Sequence, residues 1–161
     1  MGWQNNMDNM ISLDLGKGGG RAYWKAAKKK KYIPYDIEGW DIGKYDFSSE
    51  GLYAIVMSIY NYVKDSRPII VVEKPGRHLP YQWILYSDVK EIANQFKVPY
   101  FEYHPMTIKK VVTGNGKAGK EEIQKVLGDI IPELSGFELA TEHMWDSVAT
   151  GACHLRKIGV L

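Results

Sequence analysis

The run Ile69-Ile70-Val71-Val72-Glu73 decides how the fold of this chain is interpreted, because four apolar β-branched residues end in an acid. Unbroken runs of this kind are typical of strands that are buried on both faces. A second short run, Met10-Ile11-Ser12-Leu13-Asp14, has the same design. An acid at the tip of a buried strand is costly unless something cationic compensates it. Asp14 and Glu73 are therefore candidate functional residues.

Two further candidates lie near the C-terminus. His143 and Asp146 are three residues apart in a segment with a helical pattern, so they share one face of the helix. Three carboxylates and an imidazole that converge on one point would suit a pair of divalent ions, and such a pair suits phosphodiester cleavage. Any one of these acids alone is better explained as a solvated strand end. Together, Asp14, Glu73, His143 and Asp146 form the predicted catalytic and metal-binding site.

The remaining pattern predicts an α/β fold. Strands are expected at 10–15, 21–28, 32–38, 69–73 and 98–103, a glycine-rich turn at 17–20, and helices at 49–64, 80–96, 107–112, 120–127 and 141–157. Short connections make the first three strands an antiparallel meander. The order resembles the ribonuclease H-like architecture, a mixed five-stranded sheet with helices on both faces. That resemblance implies that the fourth strand lies parallel beside the first, which would make Asp14 and Glu73 neighbours beneath the last helix.

Composition sets modest limits on the function. The 161 residues, 45% of them apolar, fit a flexible N-terminal tail at 1–9 and a single domain at 10–161. A net charge of +2 does not by itself indicate a nucleic-acid binder, although lysines are clustered along the chain. The only cysteine, Cys153, argues for a reducing compartment. With no long apolar run and a polar start, we expect a cytoplasmic protein without a secretion signal or membrane contact.

The loop from Gly114 to Lys120 has most of the spacing of a nucleotide-binding P-loop. A P-loop needs Ser or Thr next to hold magnesium, and this chain has Glu121. The glycines are better explained by a backbone that approaches a DNA phosphate, with the loop lysines as point charges beside it. The predicted DNA-binding residues are Gly114, Gly116, Lys117, Lys120, Lys109, Lys110 and Arg77.

Four segments in this order resemble the bacterial RuvC family of Holliday junction resolvases over about 10–154. They are Ile11-Ser12-Leu13-Asp14-Leu15-Gly16, then Ile69 through Pro75, then Thr113 through Lys120, and finally His143-Met144-Trp145-Asp146-Ser147-Val148-Ala149. Members of the family carry either Asp or His at the position of His143. An acid after a strand is a weak signal, but the four segments together are specific.

The resemblance implies a structure-selective DNA endonuclease of recombination and repair that resolves four-way junctions. It would make paired symmetric nicks that leave 5′-phosphate and 3′-hydroxyl ends. Each active site would use two Mg²⁺ ions about 4 Å apart, with Mn²⁺ also accepted. Asp14 would bridge the ions, Glu73 would hold one, and His143 with Asp146 would hold the other. Paired nicks imply a two-fold homodimer, for which the helix at 49–64 is a candidate interface. The sequence does not identify a partner helicase.

Two departures from the family pattern leave the substrate range open. Gly76 stands where the family commonly has an aromatic residue that stacks at the branch point, and His78, Tyr81 and Trp83 are candidate replacements. Leu15 stands where the family tends to have proline. One alternative is therefore a broader branched-DNA nuclease of viral type that also cuts flaps and Y-junctions. Another is a junction-binding protein that does not cleave.

Overall fold

The computed structural model describes residues 8–16, 18–27, 31–41, 49–75 and 80–161. Five strands are present in these ranges: β1 (Asn9–Asp14), β2 (Gly18–Ala27), β3 (Lys31–Asp41), β4 (Ile69–Glu73) and β5 (Tyr100–Tyr103). The α-helices are α1 (Ser49–Ser66), α2 (Pro80–Phe96), α3 (Pro105–Thr113), α4 (Lys120–Ile130) and α5 (Glu142–Lys157), and a 3-10 turn spans Pro132–Gly136.

The strands form one mixed sheet in the order β3-β2-β1-β4-β5. The first three are antiparallel neighbours, whereas β4 runs parallel to β1 on one side and to β5 on the other. Leu13 lies opposite Val72, so the acids that follow them stand at the same end of adjacent strands. The predicted meander, the parallel placement of β4 beside β1 and the mixed five-stranded architecture are confirmed.

Both faces of the sheet are covered by helices, which explains the unbroken apolar strands. Ile11 and Leu13 point to one face, where they pack with Ile70 and Val72 under α1 and α2. Residues of the opposite parity, Met10 and Val71 among them, pack under α3, α4 and α5. No helix in the described part of the chain is long and apolar enough to cross a bilayer.

The expected turn at 17–20 is wrong for its last three residues. Gly18, Gly19 and Gly20 belong to β2, where they pair with Asp41, Trp40 and Gly39 of β3. The reason is that strand pairing extends further than local turn chemistry indicates, since β3 itself runs on to Asp41. Elsewhere the differences are small: β5 begins at Tyr100, α4 ends at Ile130, and the 3-10 turn is not anticipated by the sequence pattern.

The predicted tail at 1–9 lies mostly outside the described residues, which begin at Asp8. Its last two positions are joined to the sheet. Ala26 donates its backbone N–H to the carbonyl of Asp8 at 2.6 Å, and Asn9 opens β1 opposite Lys25. The sheet therefore begins earlier than expected from the sequence.

Candidate metal centre

The pleat of the two central strands aims Asp14 and Glu73 at the same helix. Side chains alternate between the faces of a strand, so Asp14 shares its face with Ser12 and Met10. Glu73 shares its face with Val71 in the same way. That face lies under α5, and the side chain of Asp14 is only 13% exposed there.

The start of α5 carries the other two candidates. Thr141 caps the helix by accepting a hydrogen bond from the backbone N–H of Met144 at 3.3 Å. His143 and Asp146 therefore lie in the first turns, on the side that faces the sheet. The positive end of a helix dipole also favours carboxylates at this position.

A buried hydrogen-bond pair fixes α5 over β1. Ser12 Oγ donates to the carbonyl of Ser147 at 2.6 Å and accepts the indole N–H of Trp24 at 2.8 Å. Gly151 lets the helix come close, because a Cβ there would lie 2.6 Å from the Trp24 ring. The anchor sits two residues from Asp14 on the strand and one residue from Asp146 on the helix, so it holds the two in register.

The four predicted residues line one cavity of about 190 Å³ at the end of the sheet. His143 Nδ1 lies 2.9 Å from Asp14 Oδ2, and one potential ligand atom each from Asp14, His143 and Asp146 lie within 4.8 Å of one another. Glu73 lines the same cavity, close enough to Asp14 and Asp146 for their charges to raise its pKa. The structure thus brings together all four residues that the sequence singles out.

The acids in this cavity repel one another. Burial first, and then the nearby charges of Asp14 and Asp146, raise the pKa of Glu73 to about 9. Burial and the charge of Asp14 likewise raise the pKa of Asp146 to about 6. The hydrogen bond that the His143 ring donates to the Asp14 carboxylate is the main cause that raises the pKa of His143. The cluster therefore holds protons near neutral pH, at positions where a cation would be more strongly stabilised.

The donor set fits divalent ions. Three carboxylates offer the oxygen ligands that Mg²⁺ prefers, and an imidazole is acceptable to Mn²⁺ and other transition metals. Among the described residues the only cluster of this kind is Asp14, His143 and Asp146, with Glu73 beside it. Metal ligands of this kind bind in their deprotonated form, so a bound metal would displace the protons that the cluster holds.

A second cavity of about 360 Å³ adjoins the first and shares Glu73 and Asp146 with it. Two of the predicted DNA-binding residues, Lys109 and Lys120, line this cavity. The side chain of Lys120 is 67% exposed and forms an ion pair with Glu142. Basic groups therefore flank the acidic cluster on the side of α3 and α4.

The other predicted DNA-binding residues are spread around this side. Lys110 and Lys117 are exposed, and Gly114 ends α3 in a left-handed conformation at φ 81°. Gly116 lies close to Met106, since a Cβ there would be 3.4 Å from Cγ of that side chain. Arg77 lies outside the described residues.

Two of the three candidate stacking side chains are not described by the structure. Gly76 and His78 lie outside the described residues, as does the side chain of Tyr81. Trp83 of α2 is partly buried and packs edge-on against Tyr86, with ring centroids 5.4 Å apart, at the margin of the core between the sheet and the helices α1 and α2.

Sequence reasoning missed the residues that support the site. Ser12 and Trp24 anchor α5, and the glycines of β2 let the helix approach the sheet. One signal was present in the sequence: a small polar residue inside an apolar strand needs a hydrogen-bond partner when it is buried.

A mixed five-stranded sheet in this order, with helices on both faces, is the ribonuclease H-like fold. Solved structures with this fold include RuvC of Thermus thermophilus, with a TM-score of 0.75 and 21% identity over 94% of this chain and 97% of that chain. The same protein in complex with Holliday junction substrate gives a TM-score of 0.76 and 20% identity over 94% and 96%. A fowlpox virus resolvase in complex with a Holliday junction gives 0.61 and 16% over 92% and 99%.

Part of the chain also resembles curated proteins in sequence. The crossover junction endodeoxyribonuclease RuvC of Geotalea uraniireducens is 37% identical over 57 residues, 35% of this chain and 32% of that protein. RuvC of Anaplasma phagocytophilum is 40% identical over 62 residues, 38% and 37% of the two chains. The chain thus spans about a third of the length of the curated relatives it matches. No protein-family model matches the chain. The resemblance to RuvC resolvases is confirmed for the fold and for this matched segment.

Proposed function

We propose that this chain is a metal-dependent, structure-selective DNA endonuclease that resolves four-way junctions by paired symmetric nicks. The observation that carries the proposal is the convergence of Asp14, Glu73, His143 and Asp146 in one cavity at the end of the sheet. Two solved structures with the same fold contain Holliday junction DNA. The nicks would leave 5′-phosphate and 3′-hydroxyl ends.

The four residues would hold two Mg²⁺ ions, with Mn²⁺ also accepted. Bound there, the ions would supply an activated water and stabilise the departing oxygen of an in-line displacement. Glu73, with a pKa of about 9, would lose its proton when it becomes a ligand, so metal binding should release protons near neutral pH. When metal binds, Asp14 would give up part of its hydrogen bonding to His143 and contact the ion instead.

Phosphate contacts are assigned to the basic side of the site. Lys109 and Lys120 line the cavity that shares Glu73 and Asp146, so a strand bound there would place its phosphates beside the acidic cluster. Gly114, Gly116, Lys110 and Lys117 would extend the contact along the strand, and Arg77 is proposed as a further phosphate contact. Contacts of this type set affinity and its salt dependence rather than sequence preference.

A two-fold homodimer is part of the proposal, because two symmetric nicks need two equivalent sites. Helix α1 remains the candidate interface. It buries Ile59 and Val63 in the core of its own chain, and its exposed large hydrophobic side chain is Tyr53, at 65%. If α1 forms the interface, Tyr53→Asp should shift sedimenting dimer to monomer.

A panel of labelled substrates tests the function. Four-way junction, flap, Y-junction and linear duplex are each incubated with the protein in Mg²⁺ and in chelator. The proposal predicts metal-dependent, symmetric nicks in the four-way junction and none in the duplex. Comparable cutting of flaps and Y-junctions would favour the alternative of a broader branched-DNA nuclease, which is suggested by Gly76 in place of an aromatic residue. Junction binding without any cutting would contradict the proposal and favour a binding protein.

A further inference from the structure

Three consecutive glycines in β2 lie directly beside the acidic cluster. Gly18, Gly19 and Gly20 are in extended strand, where glycine is unfavourable because it has no side chain to pack. The positive φ angles of the described glycines occur at Gly114 and Gly159 instead. Backbone conformation therefore does not require glycine at these three positions, and close approach of another group is the remaining physical reason.

The three glycines face different neighbours. A Cβ on Gly18 would lie 2.5 Å from Nε2 and 2.9 Å from Cδ2 of the His143 ring. A Cβ on Gly19 would meet the Trp40 ring and lie 2.5 Å from the carbonyl oxygen of Asp14. A Cβ on Gly20 would meet the backbone of His143, including its carbonyl oxygen. Only the clash at Gly18 is with the far end of a side chain that can move.

We infer that Gly18 is a positioning residue that leaves room for the His143 imidazole to lie over Asp14. The inference rests on the proposed metal centre, because it concerns the placement of one of its ligands. The ring fills the space above Gly18 while its Nδ1 lies 2.9 Å from Asp14. Any side chain at position 18 would push the ring away from the carboxylate.

The effect of a substitution at Gly18 should be confined to the metal centre, because the His143 ring has free space to move into. The side chain of His143 is 43% exposed, so it can rotate into solvent without disturbing the core. Substitution at Gly18 should therefore damage the metal centre and leave the fold intact. At Gly20 the opposite is expected, because the clash is with the backbone of α5 and the helix would have to shift.

A purely structural explanation makes a different prediction. If Gly18 served only the pairing of β2 with Asp41 of β3, a substitution would lower stability and leave the environment of His143 unchanged. The side chain at position 143 would then have no influence on the effect. The two explanations therefore differ in two measurable ways. They differ in whether the pKa of His143 changes, and in whether a shorter side chain at position 143 removes the effect of the Gly18 substitution.

The experiment compares wild type, Gly18→Ala, Gly20→Ala, His143→Asp, and each glycine variant combined with His143→Asp. The pKa of His143 is measured by NMR in chelator, Mn²⁺ affinity by calorimetry, and Tm in chelator. For Gly18→Ala we expect a lower pKa of His143 and Mn²⁺ affinity weakened by about 10- to 100-fold, with a Tm lowered much less than that of Gly20→Ala. Combined with His143→Asp, Gly18→Ala should cause no further loss of Mn²⁺ affinity relative to His143→Asp alone, since the shorter carboxylate does not reach position 18.

Gly20→Ala is the matched control. It should lower Tm, and His143→Asp should not restore it, because the clash is with the backbone at position 143. An unchanged pKa of His143 and unchanged Mn²⁺ affinity in Gly18→Ala would overturn the inference. So would a Gly18→Ala protein that unfolds and is not restored by His143→Asp.

Failure of the proposed function looks different. If wild type binds no Mn²⁺, or binds it equally well after Asp14→Asn, the metal centre itself is refuted. The pKa of His143 in chelator would still report whether Gly18 holds the ring against Asp14.

Discussion

Without metal, the stability of the protein should fall steeply as pH rises, and Glu73 should be the main cause. Burial and the neighbouring acids raise its pKa from 4.5 to about 9 in the folded chain. A carboxyl whose pKa is raised by folding contributes stability that is fully present below pH 4.5 and is lost as pH rises through about 9. One proton held by the folded state and released by the unfolded state costs about 1.4 kcal/mol per pH unit. Between about pH 5 and pH 8 the loss is roughly 4 kcal/mol, a large part of the stability of a small domain.

Urea unfolding in chelator at a series of pH values measures this loss. Asp146 and His143 also have raised pKa values and act in the same direction, so Glu73→Gln is the informative comparison. Because Gln has no proton to lose, its free energy of unfolding should fall less with pH than that of wild type. Excess Mg²⁺ should flatten the wild-type profile, since the ion binds the folded, deprotonated site. If the free energy of unfolding falls equally with pH in wild type and in Glu73→Gln in chelator, Glu73 is not the cause of the loss.

Three further changes test other parts of the site. Ser12→Ala should lower the free energy of unfolding by about 1–3 kcal/mol, because the indole N–H of Trp24 is left buried without an acceptor. His143→Asp should keep junction cutting and shift metal preference from Mn²⁺ toward Mg²⁺, as measured by cleavage rates in each ion, because carboxylate is the harder ligand. Lys117→Ala and Lys120→Ala should each weaken junction binding and reduce the salt slope by about one unit, as measured by fluorescence anisotropy across a salt titration.

Each of these expectations has an outcome that contradicts it. An Ser12→Ala protein as stable as wild type would mean that water replaces the hydroxyl and that α5 is held by other contacts. A His143→Ala protein that cuts at the normal rate in both metals would remove His143 from the ligand set. Unchanged salt slopes would remove the lysine loop from the DNA-contact surface.

Strong local signals explain why much of the fold could be predicted from the sequence. The bounds of β4 and α2 agree with the prediction because each has sharp limits: Pro68 precedes the strand Ile69–Glu73, and Pro80 opens the helix Pro80–Phe96. The glycine run was misassigned because glycine favours turns locally, whereas pairing with β3 across Gly19 and Trp40 is a long-range effect.

The candidate site, like the fold, could be predicted from the sequence only in part. Asp14 and Glu73 could be chosen because a strand that ends in an acid is visible in the sequence. The direct bond between His143 and Asp14 could not, because it depends on how closely α5 approaches the sheet. That approach is set by Ser12, Trp24 and the glycines of β2, whose contacts span most of the chain. The roles of the four residues in metal binding and catalysis stay predictions.

The most direct test of the catalytic site is single-turnover cleavage of a labelled four-way junction. Wild type and Asp146→Asn are compared, and the bound fraction is measured in the same samples. The substitution keeps the size of the side chain and removes a charge from the acidic cluster, while Lys109 and Lys120 are untouched. We expect Asp146→Asn to bind the junction as tightly as wild type and to leave it uncut in Mg²⁺. Cleavage by Asp146→Asn at a near-normal rate would contradict the assignment of this cavity as the metal-dependent catalytic site.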